Sequence, residues 1–241
     1  MKIGSLFSGI GGLELGLEMS GIGLSVWQVE QNPFCLEVLA KHWPEVERIE
    51  DVKEAGKHNL EPVDLICGGF PCQDISSAGK GAGLSGKRSG LWFEFARIVE
   101  EMRPRWVVVE NVASAASRWV DPVRADLERL GYETLPIPIT AEAVGAPHRR
   151  ARVFLVAYAE RIQLREQSGG SGGEDWKEEV LSSDTSETRG AFGASTWPAS
   201  PSICRVDDGL SRRLDRNKSL GNAVVPQCAE VIGHIIKGLE E

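Results

Sequence analysis

The chain has 241 residues and 41% hydrophobic content, enough for one well-buried core with a small second region. No run of 18 apolar residues occurs, which argues against a helical membrane span, and the sequence enters a strand-like segment at Lys2 without a charged leader, so no signal peptide and a cytoplasmic location are expected. A net charge of −8, from 27 basic and 35 acidic residues, counts against nucleic acid as a partner when taken as a total, yet the basic residues cluster at 148–152, at 212–218 and at Lys80, Lys87 and Arg88.

The first 157 residues read as alternating strands and helices. Ile3 to Phe7 is a short apolar strand, followed by Gly9-Ile10-Gly11-Gly12 and a helix carrying Leu13, Leu15, Leu17 and Met19. Leu24 to Val29 is a second strand that ends at Glu30. Pro33 suits the first turn of a helix through Leu36, Leu39 and Ala40. Val46 to Ile49 and Val63 to Cys67 are the third and fourth strands. Leu91, Phe95, Ile98, Val99 and Met102 have helical spacing, and Trp106 to Val109 is a strongly apolar fifth strand. A helix over 119–130 stops at Gly131, and strands over 133–139 and 153–157 follow. Continuous apolar strands between helices predict an α/β, doubly wound, mostly parallel sheet, with ligands beyond the carboxyl ends of its strands. Residues 166–196, rich in Gly, Ser and charge, read as a loop, and Val224 to Leu239 returns to helical periodicity.

The glycine cluster follows a strand and precedes a helix, so Gly9, Gly11 and Gly12 permit a tight turn and close approach to a ligand at a helix N-terminus. Glu30 is placed to hydrogen-bond a ribose hydroxyl pair and Asp51 an adenine amino group. Together they point to an adenosine-containing cofactor without choosing between a nicotinamide and a sulfonium compound. The pattern Gly-x-Gly-Gly lacks the last glycine of a dinucleotide site.

Of five cysteines, Cys35, Cys67 and Cys228 lie in apolar patterns and read as core, and the odd number argues against a disulfide framework. No pair has the close spacing of a zinc knuckle, and no metal is expected. Cys72 is different: it follows the fourth strand in Gly68-Gly69-Phe70-Pro71-Cys72-Gln73, ahead of a Gly/Ser-rich stretch suited to closing over a substrate. Glu110 ends the fifth strand after three valines, where a carboxylate needs a partner. Arg150 and Arg152 open the 153–157 strand and bring guanidinium groups to the same end.

These fragments, in this order, resemble the DNA (cytosine-5) methyltransferase family of the bacterial or phage restriction-modification type. Phe7 to Gly12 is similar to its cofactor loop, with Phe7 expected near the adenine; Glu30 and Asp51 match its ribose and adenine contacts. Gly69-Phe70-Pro71-Cys72-Gln73 resembles its catalytic loop, Glu110-Asn111-Val112 its acid motif, and Arg150-Ala151-Arg152 its Arg-x-Arg element. Gly221-Asn222-Ala223-Val224 resembles the closing motif that completes the cofactor pocket, with Asn222 and Val224 as contacts.

The resemblance implies methyl transfer from S-adenosyl-L-methionine to C5 of a cytosine flipped out of double-stranded DNA, with Cys72 as nucleophile, Glu110 supporting its attack on C6, Arg152 orienting the base and Arg150 positioning the backbone. It divides the chain into a catalytic and cofactor-binding domain over 1–160, a reduced target-recognition region with linker over 161–217, and a returning segment over 218–241. The expected form is a monomer, with a cognate restriction endonuclease or accessory recognition protein as partner.

Three features depart from the family. His148 stands where glutamine is usual; only about sixty residues (158–217) separate the Arg-x-Arg strand from the closing motif; and the arginine-leucine-rich anchor of the recognition region is reduced to Arg205–Leu214, where Arg212 and Arg213 either meet phosphates or face solvent. Competing readings are an RNA cytosine-5 methyltransferase, a non-catalytic DNA-binding regulator on the same fold, and a nicotinamide-dependent oxidoreductase.

Overall fold

The structure, a computed structural model, describes residues 1–71, 90–159 and 219–240. In chain order these form β1 (Lys2–Leu6), α1 (Gly12–Met19), β2 (Leu24–Val29), α2 (Pro33–His42), β3 (Glu47–Ile49), β4 (Leu65–Gly68), α3 (Gly90–Met102), β5 (Trp106–Val112), α4 (Ala116–Arg129), β6 (Tyr132–Ile139), β7 (Arg152–Ala159) and α5 (Pro226–Glu240). Residues 166–196, read as a loop from composition, lie outside the described residues.

The strands make one seven-stranded sheet in the order β3-β2-β1-β4-β5-β7-β6. Pairs from β3 to β5 are parallel, whereas β7 runs antiparallel to both β5 and β6. The expected doubly wound, mostly parallel sheet is therefore present, with an inserted antiparallel strand. β6 carries Pro136 and Pro138, which a central strand would not tolerate; it pairs with β7 alone, at the sheet's edge.

Both faces of β5 are covered, which is why it is apolar without alternation. Val107 and Val109 face α3 and α4, where Trp92, Phe95 and Trp119 fill the core; Trp106 and Val108 join the layer that holds Leu13, Leu17, Ile232 and Ile236 of α1 and α5. The α1–α5 contact is unusually close. A Cβ on Gly16 would lie 2.1 Å from the Pro226 carbonyl oxygen, and one on Gly233 would lie 2.1 Å from Ser20 Oγ. Small residues on both helices let the C-terminal helix seat directly on the helix that follows the glycine loop. Among the described residues, no helix is long and apolar enough to cross a membrane.

Candidate active site

The carboxyl ends of β4 and β5 lie side by side, with Gly68 registered against Val109, so the segment leaving β4 passes over Glu110. Gly69 has no room for a side chain there: a Cβ would fall 2.9 Å from Glu110 Oε2. The next residue, Phe70, is buried between Trp92 and Trp119, at ring-centroid distances of 5.5 and 6.2 Å. Asn111 Nδ2 donates to the Phe70 carbonyl at 2.9 Å. The backbone is thus fixed up to Pro71, the last described residue of this segment; Cys72, Lys80, Lys87 and Arg88 lie outside the described residues.

Glu110 is 7% exposed. Burial raises its pKa from 4.5 to about 7, with the Arg152 and Arg150 cations pulling the other way. Arg152 Nε sits 2.8 Å from Glu110 Oε1. Strand direction explains how they meet. Because β7 is antiparallel, its first residues stand at the carboxyl end of β5, with Arg152 registered against Val112 and Phe154 against Glu110. A parallel strand would have delivered both arginines to the opposite edge. The pair can hold or share a proton at a site largely closed to water.

At the neighbouring β1 and β2 ends, Gly9 has φ 58° and open space where a side chain would project, while Gly11, at φ 84°, is the N-cap of α1. Phe7 also takes a positive φ, 56°, and is half-buried. Glu30 braces this turn: Oε2 accepts from Gly9 N and Oε1 from Asn32 N, both at 2.7 Å. Each carboxylate oxygen keeps a second lone pair for a ligand hydroxyl. Asp51 is exposed after β3, and its Oδ1 accepts from Lys53 N at 3.0 Å. An open glycine turn at a helix N-terminus, flanked by two acids, has the donors and acceptors that an adenosine-bearing cofactor requires.

The closing segment reaches this turn from the other end of the chain. The Val224 carbonyl lies over Gly12, where a Cβ would approach it to 2.4 Å, and Asn222 is exposed beside it. Ser219 Oγ pairs with Cys35 Sγ at 3.5 Å, tying the segment to α2. Cys35, Cys67 and Cys228 are buried, as their apolar settings predict. The Arg150 guanidinium donates to the Gly221 carbonyl at 2.8 Å and to the Ala223 carbonyl. Arg152 is therefore joined to Glu110, while Arg150 is joined to the closing segment.

Two residues were not singled out from sequence. Asn111 stands inside a quoted motif, but its bond to Phe70 is a tertiary contact that spacing does not reveal. Glu14 is fully buried behind the glycine turn, beside Ser5, Ser8 and Cys67, and burial raises its pKa to about 7. The Ser5 and Ser8 hydroxyls beside it pull the other way. A glutamate following Gly-Gly-Leu at helical spacing looks like any solvated helix position.

Known proteins resemble this chain in sequence and in fold. The sequence pattern described as C-5 cytosine-specific DNA methylase matches residues 1–190. The chain is 38% identical over 165 residues to the type II methyltransferase M2.BsuMI of Bacillus subtilis, covering 65% of this chain and 42% of that one. It is 30% identical over 164 residues to M.HhaI of Haemophilus parahaemolyticus, covering 66% and 50%. It thus spans about half the length of these curated relatives. An E. coli prophage protein described as a DNA modification methyltransferase superposes with a TM-score of 0.56 at 28% identity, over 68% of this chain and 48% of that one. Spodoptera frugiperda DNMT2 shares the fold, with a TM-score of 0.55 at 22% identity over 70% and 53%. With the family pattern running from β1 past β7, through the glycine turn, the β4 loop and the Glu110–Arg152 pair, the chain belongs to the C-5 cytosine-specific DNA methylase family.

Proposed function

We propose that this chain methylates C5 of cytosine in double-stranded DNA, with S-adenosyl-L-methionine as methyl donor. The observation that carries the reading is the buried Glu110–Arg152 pair beneath the anchored Gly69-Phe70-Pro71 segment that leads to Cys72. When bound, S-adenosyl-L-methionine supplies an electrophilic methyl group. The glycine turn, Glu30, Asp51, Phe7 and the Asn222–Val224 segment would hold it, and the braced but unsaturated Glu30 carboxylate fits a ribose.

Cys72, as thiolate, adds to C6 of a cytosine taken out of the stack. A proton held by Glu110, whose pKa of about 7 keeps both forms available near neutrality, is shared with ring N3 as electrons move into the ring. The addition gives C5 carbanion character, so that C5 would take the methyl group as the donor's sulfur leaves with the bonding pair, as a neutral thioether. Arg152 orients the base and stabilises developing negative charge while holding Glu110 in place. Loss of the C5 proton and departure of the Cys72 sulfur restore the aromatic ring.

The proposed division is a catalytic and cofactor-binding domain over 1–160, a short recognition region over 161–217 and a returning segment over 218–241. Support for the last comes from the seating of α5 on α1. So short an interval between motifs suits a brief DNA recognition sequence or recognition aided by a partner, such as an accessory protein or cognate endonuclease, with the chain itself a monomer. The test is incubation with labelled S-adenosyl-L-methionine and either duplex DNA or transfer RNA, beside Cys72→Ala. Label at cytosine C5 of DNA, lost in the variant, supports the reading. Label on RNA alone moves the substrate to RNA, and equal labelling by both proteins removes Cys72 from the chemistry.

A further inference from the structure

We infer that Arg150 is a positioning residue that ties the cofactor loop to the base pocket, an assignment that rests on the proposed methyltransferase reading. Its guanidinium is committed to main-chain carbonyls, donating to Gly221 O at 2.8 Å and to Ala223 O. Those carbonyls flank Asn222 and lead to Val224, whose own carbonyl lies against Gly12 of the cofactor turn. The closing segment is thus pinned at one end by Arg150 and pressed onto the glycine turn at the other.

Arg150 comes from the other pocket. It precedes Arg152 by two residues on the approach to β7, and its charge is felt at Glu110. Its backbone has φ 34°, a conformation uncommon for a non-glycine residue and retained only where surrounding contacts fix it. Its Nε is buried without a hydrogen-bond partner among the described residues, so the two carbonyl contacts aim the guanidinium. The route runs from Glu110 and Arg152, through Arg150, to residues 221–224 and Gly12. A ligand that moves the start of β7 therefore moves the floor of the cofactor site. The coupling must be reciprocal: base-pocket occupancy changes cofactor affinity by the same factor as cofactor changes DNA affinity.

The experiment titrates S-adenosyl-L-methionine into the full chain, with and without duplex DNA, for the parent, Arg150→Gln and Arg150→Lys. The expectation for Arg150→Gln is a loss of cofactor affinity on the order of tenfold without DNA, and DNA that no longer alters that affinity. KM for cofactor should rise far more than kcat falls, and Arg150→Lys, which keeps a cationic donor, should recover part of the loss. Unchanged cofactor affinity with a raised KM for DNA would overturn the proposal and make Arg150 a substrate contact.

Amide hydrogen exchange of the ligand-free proteins keeps the test independent of cofactor binding. Faster exchange in both residues 219–225 and the Gly9–Leu13 turn of Arg150→Gln supports the tie, and a change confined to residues 148–152 refutes it. A parent that binds no cofactor defeats the methyltransferase reading, while the exchange result still decides the tie.

Discussion

Replacing Arg152 with glutamine removes the cation that sits 2.8 Å from Glu110 Oε1 in a pair whose side chains are 14% and 9% exposed. Glu110 has a folded pKa of about 7 against an ordinary 4.5, so burying its neutral form contributes stability that is full below about pH 4.5 and lost as pH rises to about 7. Above that point the parent's curve levels, because the carboxylate ionises in the folded protein beside Arg152. Without Arg152 the folded pKa climbs further, and stability keeps falling by about 1.4 kcal/mol for each further pH unit until the new value is reached. At about pH 8, one unit above 7, the variant should lie about 1.4 kcal/mol further below the parent than at about pH 5.5. To this is added about 1 kcal/mol, at both pH values, for the lost hydrogen bond. The total near pH 8, about 2.4 kcal/mol, corresponds to a Tm drop of roughly 5–10 °C for a chain of this size. Urea and thermal unfolding at the two pH values measure it. Equal destabilisation at both, or none at pH 8, would refute the claim that Arg152 sustains a buried charge on Glu110.

Glu14→Gln should flatten the pH dependence that Glu14 itself imposes. The shift from 4.5 to about 7 corresponds to about 3 kcal/mol of parent stability lost across that interval, so the variant should match or exceed the parent above pH 7 in urea unfolding, and a variant less stable at every pH would contradict this. Gly16→Ala places a methyl against the Pro226 carbonyl and the Ala229 Cβ, at 2.1 and 2.6 Å. Overpacking there should cost roughly 2 kcal/mol despite alanine's better helix propensity, and should weaken cofactor binding by displacing residues 221–224; calorimetry of both quantities checks it.

Much of the fold could be read from residue order, because apolar runs such as Trp106–Val109 and amphipathic segments such as Gly90–Met102 are local signals. The convergence of Glu110 with the loop after β4 was also legible, since adjacent parallel strands place their carboxyl ends together. Three things were not. The antiparallel sense of β7 depends on the connection between α4 and β7, in which β6 and the turn at 140–151 reverse the chain, and no local pattern encodes it. Helix α4 begins at Ala116, ahead of the expected 119, because a helix through Pro122 runs against local propensity and is held by buried Trp119, Val120, Val123 and Leu127. Arg150 and Arg152 look equivalent in Arg-x-Arg, yet Arg150, ahead of β7 and at φ 34°, turns to the Gly221 and Ala223 carbonyls, whereas Arg152, inside β7, meets Glu110.

The most direct test of the central claim is covalent trapping. Duplex DNA carrying 5-fluorocytosine retains fluorine where a proton must leave, so the adduct formed by attack on C6 cannot be resolved. Incubation with S-adenosyl-L-methionine, followed by denaturing electrophoresis and mass mapping, should give a protein–DNA conjugate attached through Cys72 and absent from Cys72→Ala. A conjugate through another residue, or active methylation of ordinary DNA with no trapped species, would contradict the account.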